Sequence, residues 1–115
     1  MLFDTHAHYD DERFDTDRDE LLLSMPEHNV GLILNPGCDV ETSRKAVSYA
    51  QKYPFVYAAV GIHPENINEN WNNDLVVFKE MAQSEPRVRA SGEFGVDYYW
   101  EKDARARARQ QVVFA

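Results

Sequence analysis

The sequence predicts an α/β fold in which four parallel strands alternate with four helices. Four short apolar runs are separated by stretches with helical periodicity, and proline and glycine residues stand at the boundaries. The runs begin near residues 1, 30, 55 and 88, so successive starts lie 29, 25 and 33 residues apart. That spacing is the size of one strand–helix unit. With 115 residues the chain is expected to form one domain, over residues 1–115.

The apolar runs are typical of central parallel strands. Such strands are covered by helices on their faces and therefore lack the alternation of polar and apolar residues seen in half-exposed strands. The predicted strands are Met1–Phe3, Val30–Leu34, Phe55–Val60 and the weaker Val88–Ser91.

The segments between the runs carry apolar residues at helical spacing. The four sets are Phe14, Leu21, Leu22 and Met25; Ala46, Tyr49, Ala50 and Tyr53; Leu75, Phe78, Met81 and Ala82; and Ala104, Ala108 and Val112. Asp39 is the predicted N-cap of the second helix, with Thr42 and Ser43 as alternatives. Pro54 and Pro86 follow the second and third helices, where proline cannot continue a helix.

Composition narrows the class of protein. The net charge of −8 opposes non-specific adhesion to nucleic acid, which depends on lysine and arginine neutralising phosphates. No apolar run approaches the roughly 20 residues that span a membrane, and the start of the chain lacks the pattern of a signal peptide. Cys38 is the single cysteine, which is typical of a reducing setting. We therefore expect a cytoplasmic protein.

Ionisable residues follow all four predicted strands, and Cys38 and Asp39 follow the second. His6 and His8 follow the first strand, His63 the third, and Glu93 and Asp97 the fourth. The carboxyl ends of parallel strands meet at one edge of the sheet, where α/β proteins carry their chemistry. Side chains two residues apart on a strand point the same way, so the two imidazoles of His6 and His8 can bind one divalent cation. Two unrelated surface histidines are the alternative.

Four motifs, in order and in spacing, resemble the TatD family of metal-dependent deoxyribonucleases, which belongs to the amidohydrolase-like TIM-barrel hydrolases. The motifs are Phe3–Asp10, Asn35–Asp39, Ala59–Pro64 and Gly92–Tyr99. The resemblance implies a (βα)₄ unit that is the N-terminal half of a (β/α)₈ barrel, a fold of about 250 residues. It also implies hydrolysis of phosphodiester bonds in DNA.

The resemblance assigns the site as follows. His6 and His8 bind the first metal ion and Glu93 bridges two ions. His63 lines the substrate cleft, and Asp97 and Tyr99 lie close to it. The implied cofactors are two divalent ions, Mg²⁺, Mn²⁺ or Zn²⁺, which activate water for attack on phosphorus.

Several of these roles have structural alternatives. Asp4 either orients a histidine ring from the second coordination shell or accepts hydrogen bonds from backbone amides. Glu93 could form an ordinary salt bridge, His63 could cap the segment that follows it, and Asp97 could cap a turn. The aromatic residues 98–100 could stack a base, although three consecutive side chains cannot all face one cleft.

Two other functions stay open. Another amidohydrolase reaction, on an amide or ester, would use the same His-x-His pair, but many such enzymes bridge their metals with a carbamylated lysine where this chain has Glu93. A non-catalytic half barrel could act as a binding or assembly unit. The resemblance places the other metal ligands in the second half of the family barrel, so residues 1–115 alone are expected to be inactive and to associate with a second half or with themselves.

Overall fold

The computed structural model describes residues 1–114 and contains one four-stranded parallel sheet. The strands are β1 (Leu2–Asp4), β2 (Val30–Pro36), β3 (Val56–Val60) and β4 (Val88–Ser91). They lie side by side in chain order, and each neighbouring pair is parallel. The predicted strands are therefore confirmed, with ends that move by two residues at most.

The helices are α1 (Arg18–Ser24), α2 (Val40–Lys52), α3 (Trp71–Ser84) and α4 (Ala104–Val113). The predicted cap of α2 is confirmed, because the Asp39 carboxylate accepts the backbone N–H of Thr42 at 2.8 Å. The Thr42 hydroxyl oxygen in turn accepts the N–H of Asp39, which completes a capping box. No helix within residues 1–114 is long and apolar enough to cross a membrane.

The first helix is shorter than the sequence predicted. Phe14 ends a separate 3₁₀ turn, Glu12–Phe14, and α1 starts only at Arg18. The Arg18 guanidinium donates to the backbone carbonyls of Tyr9 and Asp11. These contacts fold the preceding segment back over the start of α1. The apolar spacing from Phe14 to Met25 therefore covers three elements, because Met25 begins a second 3₁₀ turn, Met25–His28.

The main core lies between the sheet and α1 and α2. Strand residues on the helix side, such as Ile33 and Ala58, are fully buried. They pack with Leu22 of α1 and Ala46 of α2. Burial of these apolar side chains is the main stabilising term for this layer.

The opposite face of the sheet has no covering layer within residues 1–114. Leu32 alternates with the buried Ile33 and is 36% exposed, and Phe3, which pairs with it on the edge strand, is 56% exposed. The strands thus carry apolar side chains on both faces, as predicted. The helix-facing set is buried, whereas the opposite face is exposed at Phe3 and Leu32 and buried at Pro36 and Ala59. The expected association through this face stays a prediction.

The predicted apolar face of α4 is wrong. Ala104, Ala108 and Val112 are exposed, whereas Gln110 is buried and Val113 packs against the core of Val60 and Phe78. The alternating alanines and arginines of this helix give little hydrophobic contrast, so the larger apolar residues at its end determine which face packs.

Candidate metal centre

The carboxyl edge of the sheet brings together side chains from three strand ends. His6 and His8 follow β1, His63 follows β3 and Glu93 follows β4. Three of these residues, His6, His63 and Glu93, line a cleft of about 580 Å³ together with four of their neighbours in sequence. Leu34 and Asp97 also line this cleft. This edge is where the strand order predicted the ionisable residues to meet.

Three electron-pair donors converge within this cluster. The Nε2 atoms of His6 and His8 lie 2.8 Å and 3.1 Å from Oε1 of Glu93, and 3.0 Å from each other. Two ligand atoms on a tetrahedral zinc ion lie about 3.3 Å apart, given Zn–N distances of about 2.0–2.1 Å. The cluster therefore fits a divalent cation in both spacing and ligand type, after small outward shifts of the three atoms.

Glu93 uses its two oxygens on different sides of the cleft. Oε1 faces His6 and His8, whereas Oε2 lies 3.7 Å from Nε2 of His63. Because its two oxygens face different groups, the Glu93 carboxylate can contact two groups at once, as a bridging ligand does.

Backbone hydrogen bonds between strand ends fix Glu93 and His63. The N–H of Glu93 donates to the carbonyl of Gly37 at 3.0 Å, and the N–H of His63 donates to the carbonyl of Cys38 at 2.7 Å. The backbone carbonyls of the loop after β2 therefore accept hydrogen bonds from residues that follow β3 and β4. This loop contributes no side chain to the cluster but sets the positions of two of its members.

Gly61 lets β3 and β4 approach closely at this point. A Cβ atom at Gly61 would lie 2.6 Å from the carbonyl oxygen and 2.7 Å from the carbonyl carbon of Gly92. Both are backbone atoms of the residue before Glu93 and cannot rotate away. A glycine is required here because the backbones meet.

Two motif residues to which the sequence assigned no role, Asn35 and Asp10, connect the loop that carries His8 to β2. Asn35 of β2 is fully buried and donates to the carboxylate of Asp10 at 3.1 Å. The same Asp10 oxygen lies 3.8 Å from Nδ1 of His8, which is an electrostatic contact rather than a hydrogen bond. Asn35 also accepts the N–H of Tyr9 at 2.7 Å, so it ties the loop after β1 to β2.

Asp4 contacts the backbone in this structure. Its carboxylate accepts the N–H of His6 at 3.2 Å. Of the two roles left open by the sequence, this contact corresponds to the backbone one, and it orders the turn that presents His6.

The hydrogen bonds of His63 indicate its tautomer. Its Nδ1 accepts the backbone N–H of Glu65 at 3.2 Å. In the neutral ring the proton therefore resides on Nε2, which faces Glu93 and the cleft. His63 thus both caps the 3₁₀ turn Pro64–Asn66 and presents a donor to the cleft.

Asp97 lines the cleft. Tyr99 follows two residues further along the chain and is not one of the lining residues. The Asp97 carboxylate accepts the N–H of Tyr99 at 3.0 Å and that of Trp100 at 3.2 Å, so it caps the turn. Buried Gln110 of α4 accepts the N–H of Asp97 at 2.7 Å and donates to its carbonyl at 3.3 Å. The sequence did not mark Gln110, because it stands between an arginine and another glutamine on a helix of mostly polar residues.

Carboxylates lie close to the thiol of Cys38, in the loop after β2. Burial, followed by the charges of Glu93, Asp10 and Asp39, raises the pKa of the Cys38 thiol to about 11. The thiol is therefore protonated at neutral pH and is no nucleophile. The same carboxylates favour the binding of a cation.

A parallel α/β sheet with a His–His–Glu cluster at its carboxyl edge defines the class of site, and comparison with known proteins identifies the family. A family model described as "TatD related DNase" matches residues 3–115. The chain belongs to this family.

Relatives with curated names agree with this assignment. The chain is 40% identical over 102 residues to the uncharacterized metal-dependent hydrolase YabD of Bacillus subtilis, covering 89% of this chain and 40% of the relative. It is 31% identical over 97 residues to the 3'-5' ssDNA/RNA exonuclease TatD of Cronobacter turicensis, covering 84% of this chain and 36% of that protein. The chain thus spans about two fifths of the length of these relatives.

A solved structure shows the same fold. The crystal structure of YjjV, a TatD homologue from Escherichia coli K12, matches with a TM-score of 0.80 and 28% identity. The match covers 98% of this chain and 43% of that chain. It confirms the predicted α/β fold, because the four-stranded sheet and its helices match part of a TatD homologue.

Proposed function

We propose that this protein hydrolyses phosphodiester bonds of nucleic acid with divalent metal ions held by His6, His8 and Glu93. The observation that carries the proposal is the convergence of two imidazole nitrogens and one carboxylate oxygen, 2.8–3.1 Å apart, at the carboxyl edge of the sheet. Residues 1–115 would act as part of a single barrel domain. The names of the relatives, metal-dependent hydrolase and ssDNA/RNA exonuclease, support the same reaction class.

When bound, two divalent ions would neutralise charge on the phosphoryl oxygens and lower the pKa of a water molecule. The chain's own residues would hold and orient the reactants. Glu93, with one oxygen toward the histidines and the other toward His63, would serve both ions. The Nε2–H of His63 would donate to a non-bridging phosphate oxygen, because this proton faces the cleft.

The alternative amidohydrolase reaction has less support. Its common form bridges two metals with a carbamylated lysine, and no lysine lines the cleft within the described residues 1–114. Glu93 occupies the position between the histidines and His63 instead. The carboxylate is therefore the feature that favours phosphodiester hydrolysis.

Metal binding by this chain tests the ligand set. Calorimetric titration with Mn²⁺ or Zn²⁺ should show weak binding, since three ligands leave much of the coordination sphere to water, and a His6→Ala, His8→Ala double variant should lose it. His28→Ala is the matched control, because His28 is exposed at the end of a 3₁₀ turn and bonds only the Ser24 carbonyl in the described chain. Unchanged binding in the double variant would refute the ligand assignment.

Hydrolysis tests the reaction itself. Because the chain spans two fifths of its relatives, residues 1–115 would replace the matching segment of the Bacillus subtilis relative in a chimera. The chimera should cleave a single-stranded oligonucleotide with Mg²⁺ or Mn²⁺, and Glu93→Gln should abolish cleavage without unfolding it. Cleavage by a Glu93→Gln chimera at the original rate would contradict the proposal, and so would cleavage of an amide substrate alone.

A further inference from the structure

Two large aromatic side chains are exposed in the turn that follows Asp97, the last residue in the chain that lines the cleft. Tyr99 is 74% exposed and Trp100 is 72% exposed, and their rings form an edge-to-face pair with centroids 4.7 Å apart. Tyr98 is different, since it is 36% exposed and the Arg107 guanidinium lies 4.9 Å from its ring centre. We call Tyr99 and Trp100 the aromatic pair.

The aromatic pair is held in place by a chain of hydrogen bonds. Buried Gln110 fixes the backbone of Asp97, and the Asp97 carboxylate accepts the N–H groups of both aromatic residues. On the other side, Arg107 donates to the carbonyl of Tyr98 at 2.8 Å. The exposure of the two rings therefore belongs to an ordered turn that presents them to solvent.

The segment that contains the aromatic pair has a net charge opposite in sign to that of the rest of the chain. Residues 97–114 contain four Lys and Arg against three Asp and Glu, whereas residues 1–96 contain eight against seventeen. Lys102 and Arg105 are exposed, and neither has an ion-pair partner within residues 1–114. The Lys102 ammonium lies 5.7 Å from the ring centre of Tyr99. Positive charge and aromatic surface thus coincide in a chain that is otherwise strongly acidic.

A ligand that matches both features must combine flat aromatic faces with negative charge. Unpaired nucleotides do so, because each base offers a face for stacking and each phosphate offers a negative charge. A duplex hides its base faces and fits less well. The location agrees, since Asp97 lines the cleft with His63 and Glu93, and its carboxylate accepts the N–H groups of the aromatic pair.

We propose that Tyr99 and Trp100 stack unpaired bases that flank the phosphodiester at the cleft, while Lys102 and Arg105 contact the neighbouring phosphates. This inference rests on the proposed function and adds to it the residues that select single strands over duplexes. Binding should tolerate any base sequence, since all bases have a stacking face. It should weaken as salt concentration rises.

Binding without cleavage tests the inference. A fluorescein-labelled hexathymidylate is titrated in EDTA and followed by anisotropy. Trp100→Leu should weaken binding roughly 5- to 150-fold, from a stacking contribution of about 1–3 kcal/mol per base. Trp100→Phe keeps an aromatic face and should retain most of the affinity. An abasic oligomer of the same length should bind weakly and equally to the original chain and to Trp100→Leu.

Tryptophan emission supplies a second measurement. In a Trp71→Phe background Trp100 is the single tryptophan, and its emission should be quenched by hexathymidylate but not by the abasic oligomer. Quenching that depends on protein concentration without oligonucleotide would show that a second copy covers the pair, and would overturn the inference. So would equal affinities of the original chain and Trp100→Leu.

The two proposals can fail separately. Stacking in EDTA together with a chimera that cleaves no phosphodiester would refute the proposed reaction and leave the stacking site standing. Metal-dependent cleavage that Trp100→Leu does not alter, with unchanged affinity for hexathymidylate, would refute the stacking site alone.

Discussion

Replacement of Gly61 by alanine should weaken cation binding at the candidate metal centre, although Gly61 is not one of the proposed ligands. The new Cβ atom would lie 2.6 Å from the carbonyl oxygen of Gly92, where an ordinary contact needs at least 3.4 Å. The ends of β3 and β4 must then separate by about 0.8 Å, the difference between those two distances. Gly92 is bonded to Glu93, so the displacement reaches the carboxylate that faces His6 and His8.

The size of this effect follows from the geometry of the cluster. Glu93 is held by one backbone hydrogen bond of 3.0 Å to Gly37, which a movement of this size would break. Loss of a group that positions a metal ligand typically lowers metal affinity by roughly 10- to 100-fold. The forced separation should also lower the free energy of unfolding by about 1–3 kcal/mol, as overpacking does.

Calorimetric titration with Mn²⁺, together with chemical denaturation, measures both effects. Gly31→Ala is the matched control, since the three atoms nearest to its new Cβ belong to the flexible side chain of Met1, which is 91% exposed. Gly31 also lies near the start of β2, away from the carboxyl edge. Wild-type metal affinity in Gly61→Ala would refute the conclusion that close contact between β3 and β4 positions Glu93.

Three further predictions concern the stability of the fold. Leu22→Ala should lower the free energy of unfolding by about 2–5 kcal/mol, because Leu22 is fully buried; Leu23→Ala, at a position 57% exposed, should change it little in the same urea titration. Asp39→Ala should cost about 0.5–2 kcal/mol through loss of the α2 cap, and Asp39→Asn should restore most of that in thermal melts. A hydrogen bond from the Tyr53 hydroxyl is the main cause that lowers the pKa of Asp19, so the folded state binds this proton less readily than the unfolded state does. That stabilisation is present above the ordinary carboxyl pKa and is lost as pH falls below about 4. Asp19→Asn should therefore reduce the decline in melting temperature that accompanies this fall in pH. An unchanged decline would count against the contact between Asp19 and Tyr53.

The strands were predictable because their signal is local. β4 begins and ends where the apolar run does, and β2 extends the predicted run by two residues, Asn35 and Pro36. The edge at which His6, His8 and Glu93 meet also followed from the sequence, since parallel strands in chain order place their carboxyl ends together. A one-dimensional pattern was sufficient for this part of the site.

The supporting contacts could not be predicted, because they join residues far apart in sequence. Asn35 and Asp10 are separated by 25 residues, and Gln110 and Asp97 by 13. Asn35 opens one of the four motifs, but its place in the sequence does not indicate that it bonds Asp10. Gln110 is buried and bonds the backbone of Asp97 in the preceding loop. The alternating alanines and arginines around it led to the wrong prediction of the buried face of α4.

Anomalous X-ray scattering from crystals soaked in Mn²⁺ tests the central claim most directly, that the carboxyl edge of this sheet binds a divalent ion through His6, His8 and Glu93. The strongest peak is expected roughly 2.0–2.3 Å from Nε2 of both histidines and from a carboxylate oxygen of Glu93, and it should vanish in the His6→Ala, His8→Ala variant. A strongest peak elsewhere in the molecule, with no density among these three side chains, would contradict the account.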